Sequence, residues 1–155
     1  MTVTILGIDP GTHCGWAVRH QDGNFTSGTW DLSARRHEGG GFRYLRLRSY
    51  LQEIIARAKP AAVVYEEVRG HRGTDAAHVY GGIIAVLAEE CERQGIPYRG
   101  IPVSTVKKLA TGKGNADKLD MIAAANARWG KGYSLKDNNE VDARFIAEAG
   151  ARELR

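Results

Sequence analysis

Residues 2–19 read TVTILGIDPGTHCGWAVR. An apolar, β-branched run ends in Asp9, a Pro10-Gly11 pair follows, and the chain turns apolar again. Each half has the composition of a strand, and the pair between them suits a turn. Asp9 is the anomaly, because aspartate is a poor strand residue and is costly to bury without a partner. A turn accounts for it if it stands alone. A functional carboxylate accounts for it if other acids reach the same point.

Working outward, Val3, Ile5, Leu6 and Ile8 predict a buried strand over residues 2–9, with further strands over 14–20 and 24–31. The turn HQDGN between the latter two carries Asp22-Gly23, a hairpin signal, so the first three strands form an antiparallel meander. The loop SARRHEGGG follows, and its three glycines interrupt regular structure and predict mobility. From Phe42 to Ala58, Leu47, Leu51, Ile54, Ile55 and Ala58 form one stripe at helical spacing. Pro60 ends that helix, and AAVVYEE reads as a strand buried on both faces. A helix over Asp75–Gln94, a strand over 97–101 and a short basic helix around Ser104–Leu109 come next. Asn115 is placed to cap a helix running to about Arg128, and a last helix runs from near Asp137 to about Ala151. This order predicts an α/β fold, a five-stranded mixed sheet with helices on both faces, over residues 1–155 as a single domain.

Composition narrows the partners. The chain has 155 residues, 43% of them hydrophobic, which suits one folded domain and argues against disorder. No apolar run approaches the roughly 20 residues of a membrane span, and the first residues lack a signal-peptide layout. A cytoplasmic protein without membrane contact is therefore expected. Cys14 and Cys91 form no CxxC pair and read as reduced thiols. The net charge of +4 is modest, but it is clustered in Arg35-Arg36, in Arg43, Arg46 and Arg48, in Arg69–Arg72 and in Lys107–Lys118. Such clusters suit a polyanion, or are solvated surface.

The acids converge by topology. If the strand AAVVYEE lies parallel beside the first strand, Asp9 and Glu66-Glu67 emerge at the same sheet edge, where open α/β sheets bind ligands. Alternation does not choose between the two glutamates, because that strand is buried on both faces. In SLKDNNEVDARFIAEAG, Asp142 shares a helix face with Phe145, Ile146 and Ala149, so an acid sits inside an apolar stripe. Glu140 reads differently, as the partner of Asp137 in a capping box. Three carboxylates meeting in this way call for a counter-charge, and hard oxygen ligands suit Mg²⁺ or Mn²⁺. Two such ions about 4 Å apart activate water and stabilise the leaving oxygen in phosphodiester cleavage.

GIDPGTHCGWA, VVYEEV, VSTVKKLATGKGNADK and DNNEVDA, in that order, resemble the RuvC family of Holliday-junction resolvases, within the ribonuclease H-like fold. The resemblance implies a homodimeric, metal-dependent endonuclease, with Mg²⁺ or Mn²⁺ and two ions per site, that cuts four-way DNA junctions to leave 5′-phosphate and 3′-hydroxyl nicks. It puts the family's acids on Asp9, Glu66 and Asp142, and its two functional lysines on Lys107 and Lys118. The remaining acidic position falls on Asn139, where the family usually has aspartate or histidine, so the fourth ligand is Asn139 or, in its place, Glu140 or Asn138. Arg69 stands where some relatives carry an aromatic wedge. The expected DNA contacts are Arg69, His71, Arg72, Lys107, Lys108, Lys113, Arg43 and Arg46.

Three alternatives share these motifs. The sugar-kinase and actin-type ATPases use a similar Asp-x-Gly-Thr loop but need two such domains. A YqgF-like nuclease acting on RNA fits the basic KKLATGKGNADK block less well. A junction-binding module without catalysis is suggested by Asn139. The family serves recombination and repair in cells and DNA processing in phages, and the compact chain with Asn139 fits a phage-type member. The wide apolar arc of helix 75–94, with Val79, Ile83 and Val86 on one side and Tyr80, Ile84, Leu87 and Cys91 on the other, predicts a homodimer surface.

Overall fold

Asp22-Gly23 turns the chain as expected, with the Gly23 amide donating to the His20 carbonyl and Gly23 at positive φ. The computed structural model describes residues 2–154. Around that turn lie β1 (Ile5–Asp9), β2 (His13–Arg19) and β3 (Phe25–Asp31). β1 and β2 pair antiparallel with Asp9 opposite Gly15, and β2 pairs antiparallel with β3. Helix α1 (Phe42–Ala58) returns the chain to β4 (Ala62–Glu67), which lies parallel to β1 with Ile8 opposite Tyr65. Helix α2 (Thr74–Gln94) leads to β5 (Tyr98–Pro102), parallel to β4. The order across the sheet is β3-β2-β1-β4-β5. Helices α3 (Val103–Thr111), α4 (Lys118–Trp129) and α5 (Asn138–Glu153) complete the chain, with one 3₁₀ turn at Leu135–Asp137. This is the ribonuclease H-like arrangement. No described helix is long and apolar enough to cross a membrane.

Two cores hold the layers together. Leu6, Ile8, Cys14, Val18 and Val63 pack against Leu47, Leu51, Ile55, Ile83 and Leu87 of α1 and α2. Ile5, Ala17, Ala62 and Val64 pack against Val141, Phe145, Ile146 and Ala149 of α5, with α3 and α4 outside it. Small residues let α5 lie close to the sheet. A Cβ on Gly7 would stand 2.6 Å from the Ala143 carbonyl, and one on Gly15 would run into the Asn139 carbonyl. Glycine within a strand marks this kind of close backbone approach.

Four expectations change. Helix α4 is capped by Asp117, not Asn115: the Asp117 carboxylate accepts from the Asp120 amide at 2.8 Å, and the Asp120 carboxylate accepts from the Asp117 amide at 3.1 Å. Asp137 does not cap α5 and forms no box with Glu140. It serves instead as the third residue of a box begun by Ser134. The glycine-rich loop is tied down, because Glu38 accepts two bonds from Arg46 and one from the Arg35 amide. In α2, Leu87 and Cys91 belong to the chain's own core, which leaves only Tyr80 and Ile84 of their row half-buried. Both cysteines are free and buried, as expected.

Candidate active site

The two cores settle which glutamate faces Asp9. Ile5 and Gly7 of β1, and Ala62 and Val64 of β4, lie on the α5 side, so alternation puts Asp9 and Glu66 on that side too. Tyr65 packs on the opposite core, and Glu67 alternates with Glu66. Asp142, in the second turn of α5, meets the same point from above, and the three carboxylates feel one another. Burial, then Asp142, then Glu66 hold the Asp9 carboxyl well above the usual carboxylate range, against the opposing pull of Lys118. Burial raises Glu66, and Lys107 opposes it. Burial and the Glu66 charge lift Asp142 from an ordinary 3.8 to about 7, against Lys107 and Lys118.

Helices α3 and α4 thus bring two ammonium groups near three half-buried acids, and the acids still hold protons more tightly than usual. Proton affinity of this kind marks a site short of positive charge. The donor set consists of hard oxygens, which fits a divalent cation such as Mg²⁺ or Mn²⁺. Among the described residues, no three His, Cys, Asp or Glu side chains form a finished metal cage. Asn139 lies one turn before Asp142, and its backbone carbonyl sits over Gly15, the strand partner of Asp9. Glu140 points elsewhere, accepting a 2.6 Å bond from the Ser27 hydroxyl of β3.

An open cleft of about 880 Å³ runs from Asp9 and Glu66 across Gly11 towards Arg43, His71 and His78, on the α1–α2 side of the sheet edge. Asp142 and both lysines lie outside its lining. Tyr80, which the sequence suggested only as an interface residue, shapes one wall. Its hydroxyl donates to the Glu66 carbonyl at 3.0 Å and accepts from the Val68 amide at 3.1 Å, while its ring lies 4.8 Å from His71.

The basic residues divide by what they already bind. Arg43 lines the cleft and donates to the Leu32 carbonyl at 3.0 Å. Arg46 is taken up by Glu38, at 2.6 and 2.8 Å, and by the Ser33 carbonyl, so it braces the loop. Arg69 is exposed and only loosely paired with Glu67, at 3.9 Å. Arg72, Lys108 and Lys113 are exposed, and Lys107 is half-buried against the acids.

The sheet order and the carboxylate edge define a protein of the ribonuclease H-like class. Residues 5–126 match the family model for crossover junction endodeoxyribonuclease RuvC, a span that includes Asp9, Glu66, Lys107 and Lys118 and stops before α5. A crossover junction endodeoxyribonuclease RuvC of Anaeromyxobacter sp. (strain Fw109-5) is 33% identical over 147 residues, 92% of this chain and 69% of the relative. The RuvC of Chlamydia muridarum is 32% identical over 146 residues, 90% of this chain and 85% of the relative. In three dimensions, a T. thermophilus RuvC in complex with Holliday junction substrate superimposes with a TM-score of 0.84 at 24% identity, covering 99% of this chain and 95% of that one. The chain belongs to the RuvC family of crossover junction endodeoxyribonucleases.

Proposed function

We propose that this protein is a structure-selective DNA endonuclease that resolves four-way junctions by metal-dependent hydrolysis of phosphodiester bonds. The observation that carries this reading is the meeting of Asp9, Glu66 and Asp142, from three separate elements, against Lys107 and Lys118. Asp9, Glu66 and Asp142 are the residues to hold Mg²⁺, or Mn²⁺ in its place, two ions per site, with the Asn139 amide as a neutral fourth ligand. Such ions supply Lewis acidity and lower the pKa of a bound water. The protein's own share is then positioning and charge. The carboxylates at the strand ends would hold those ions at the sheet edge, and the basic side chains around it position the scissile phosphate beside them. Lys107 and Lys118 offset negative charge as it builds on the phosphate oxygens. The products are a 5′-phosphate and a 3′-hydroxyl.

Arg43, Arg69, His71, Arg72, Lys108 and Lys113 border this edge and supply phosphate contacts, which position a duplex without reading its sequence. A homodimer, built on the half-covered face of α2 at Tyr80 and Ile84, would bring two sites to a junction that is itself two-fold. The RNA-directed reading and the purely binding reading are both tested by substitution. Asp142→Asn should bind a synthetic four-way junction as tightly as the unaltered protein yet leave it uncut in Mg²⁺, while single-stranded RNA is cut by neither. A variant that cuts the junction normally overturns the proposal.

A further inference from the structure

Asp142 occupies its place only if α5 is held at one rotation about its own axis, and the helix carries a half-buried polar bridge on its far flank. The Ser27 hydroxyl, on β3, donates to the Glu140 carboxylate at 2.6 Å and accepts from the Arg144 Nε–H at 2.7 Å. Serine thus bridges an acid and a base four residues apart on α5. Arg144 is only 3% exposed. Its guanidinium lies 5.1 Å from the rings of Phe25 and Trp129 and 5.7 Å from that of Tyr133, three aromatic residues from β3, α4 and the segment before α5. Asp142 stands midway between Glu140 and Arg144 in sequence, so it projects about 200° around the helix from each. Between the two flanks, the Asn139 carbonyl and Ala143 rest on Gly15 and Gly7.

Glu140 and Arg144 meet only through the Ser27 hydroxyl, so the bridge forms at one rotation of the helix against β3, and polar links of this kind serve to fix register more than to add net stability. We infer that Ser27, Glu140 and Arg144 are positioning residues that set the rotation of the first turns of α5 and thereby deliver Asp142 to Asp9 and Glu66. This rests on the metal-site reading above and adds to it three residues outside the carboxylate set. It also assigns Glu140, the candidate fourth ligand, to the opposite side of the helix.

Direct Mn²⁺ binding, followed by the electron paramagnetic resonance of the free ion without DNA, tests the inference. Ser27→Ala and Glu140→Ala should each weaken Mn²⁺ binding about tenfold, the scale on which groups that orient ligands act. Glu140→Gln keeps an oxygen to accept from Ser27 and should bind Mn²⁺ as the unaltered protein does. Ile55→Val, which loosens the core on the opposite face of the sheet, should lower the melting temperature and leave Mn²⁺ affinity unchanged. Unaltered affinity in both alanine variants overturns the inference, as does an equal loss in Ile55→Val. The two readings fail separately: Mn²⁺ binding that survives Asp142→Asn removes the metal site itself, whereas binding lost there but kept in Ser27→Ala removes only the positioning unit.

Discussion

Replacing Asp142 by asparagine should make the metal-free protein more stable at alkaline pH. The Asp142 carboxyl is raised from an ordinary 3.8 to about 7 by burial and by Glu66. Because the folded state holds this proton more tightly than the unfolded chain, the associated stability is fully present below about pH 4 and is lost as pH rises through 7. At 1.36 kcal/mol per tenfold change in protonation, holding Asp142 ionised at pH 8 costs about 4 kcal/mol, more than half of which accrues between pH 5 and pH 8. The asparagine side chain carries no charge and escapes this cost. For a protein of this size about 1 kcal/mol moves the midpoint by 2–4 °C, so the two melting curves should separate by roughly 5–10 °C more at pH 8 than at pH 5. Differential scanning calorimetry in EDTA across that range reads the difference directly, and relief of Asp9, which the Asp142 charge also raises, acts in the same direction. Adding Mn²⁺ at pH 8 should then raise the midpoint of the unaltered protein and leave that of the variant in place. Parallel pH profiles for the two proteins would refute the account of Asp142 as one of three mutually repelling carboxylates.

Other substitutions probe the supports and the rim. Gly15→Ala forces a Cβ into the Asn139 carbonyl, so it should cost about 1–3 kcal/mol in urea unfolding and weaken Mn²⁺ binding together; unchanged stability would mean α5 does not lie where described. Glu148 is buried and receives Arg19 at 2.6 Å and Arg128 at 3.0 Å, so Glu148→Ala should cost about 3–5 kcal/mol by stranding the buried Arg19 charge. Burial pushes the Glu148 carboxyl up, but the bond from Arg19 and the charges of Arg128 and Arg19 outweigh it and hold the group low. The stability from this cluster should therefore be present at neutral pH and fade only in acid, below the ordinary glutamate range. Lys113→Ala removes an exposed charge and should weaken junction binding while reducing the salt slope by about one; unchanged affinity and slope would make the rim ordinary solvated surface.

Local pattern made most of this fold legible. Helix α1 begins at Phe42 and ends at Ala58 as its apolar stripe predicts, because Pro60 and the left-handed Lys59 stop it within two residues. Asp9 and the Glu66-Glu67 pair were legible through topology, since a meander followed by parallel crossovers brings two strand ends to one edge, and Asp142 stood out as an acid inside an apolar helix face. The choice between Glu66 and Glu67 was not, because a strand buried on both faces hides its parity until the core on each side is known. Asn115 and Asp117 are both capable caps, and only the reciprocal bond with Asp120 decides between them. Glu140 was misread for a different reason. Its partner is Ser27, on β3 and 113 residues away, and a local capping pattern carries no trace of that bond. The pairing of Arg46 with Glu38, eight residues earlier, likewise left no mark in the local pattern. Gly7 and Gly15 carried a usable signal, since glycines inside two adjoining strands mark where another backbone comes close.

Cleavage of a synthetic four-way DNA junction by the unaltered protein, in Mg²⁺ and again in EDTA, tests the central claim most directly. Paired nicks that DNA ligase reseals in Mg²⁺, with none in EDTA and none on linear duplex of the same sequence, is the result the carboxylate site predicts. An intact junction in Mg²⁺, or equal cutting in chelator, would contradict it.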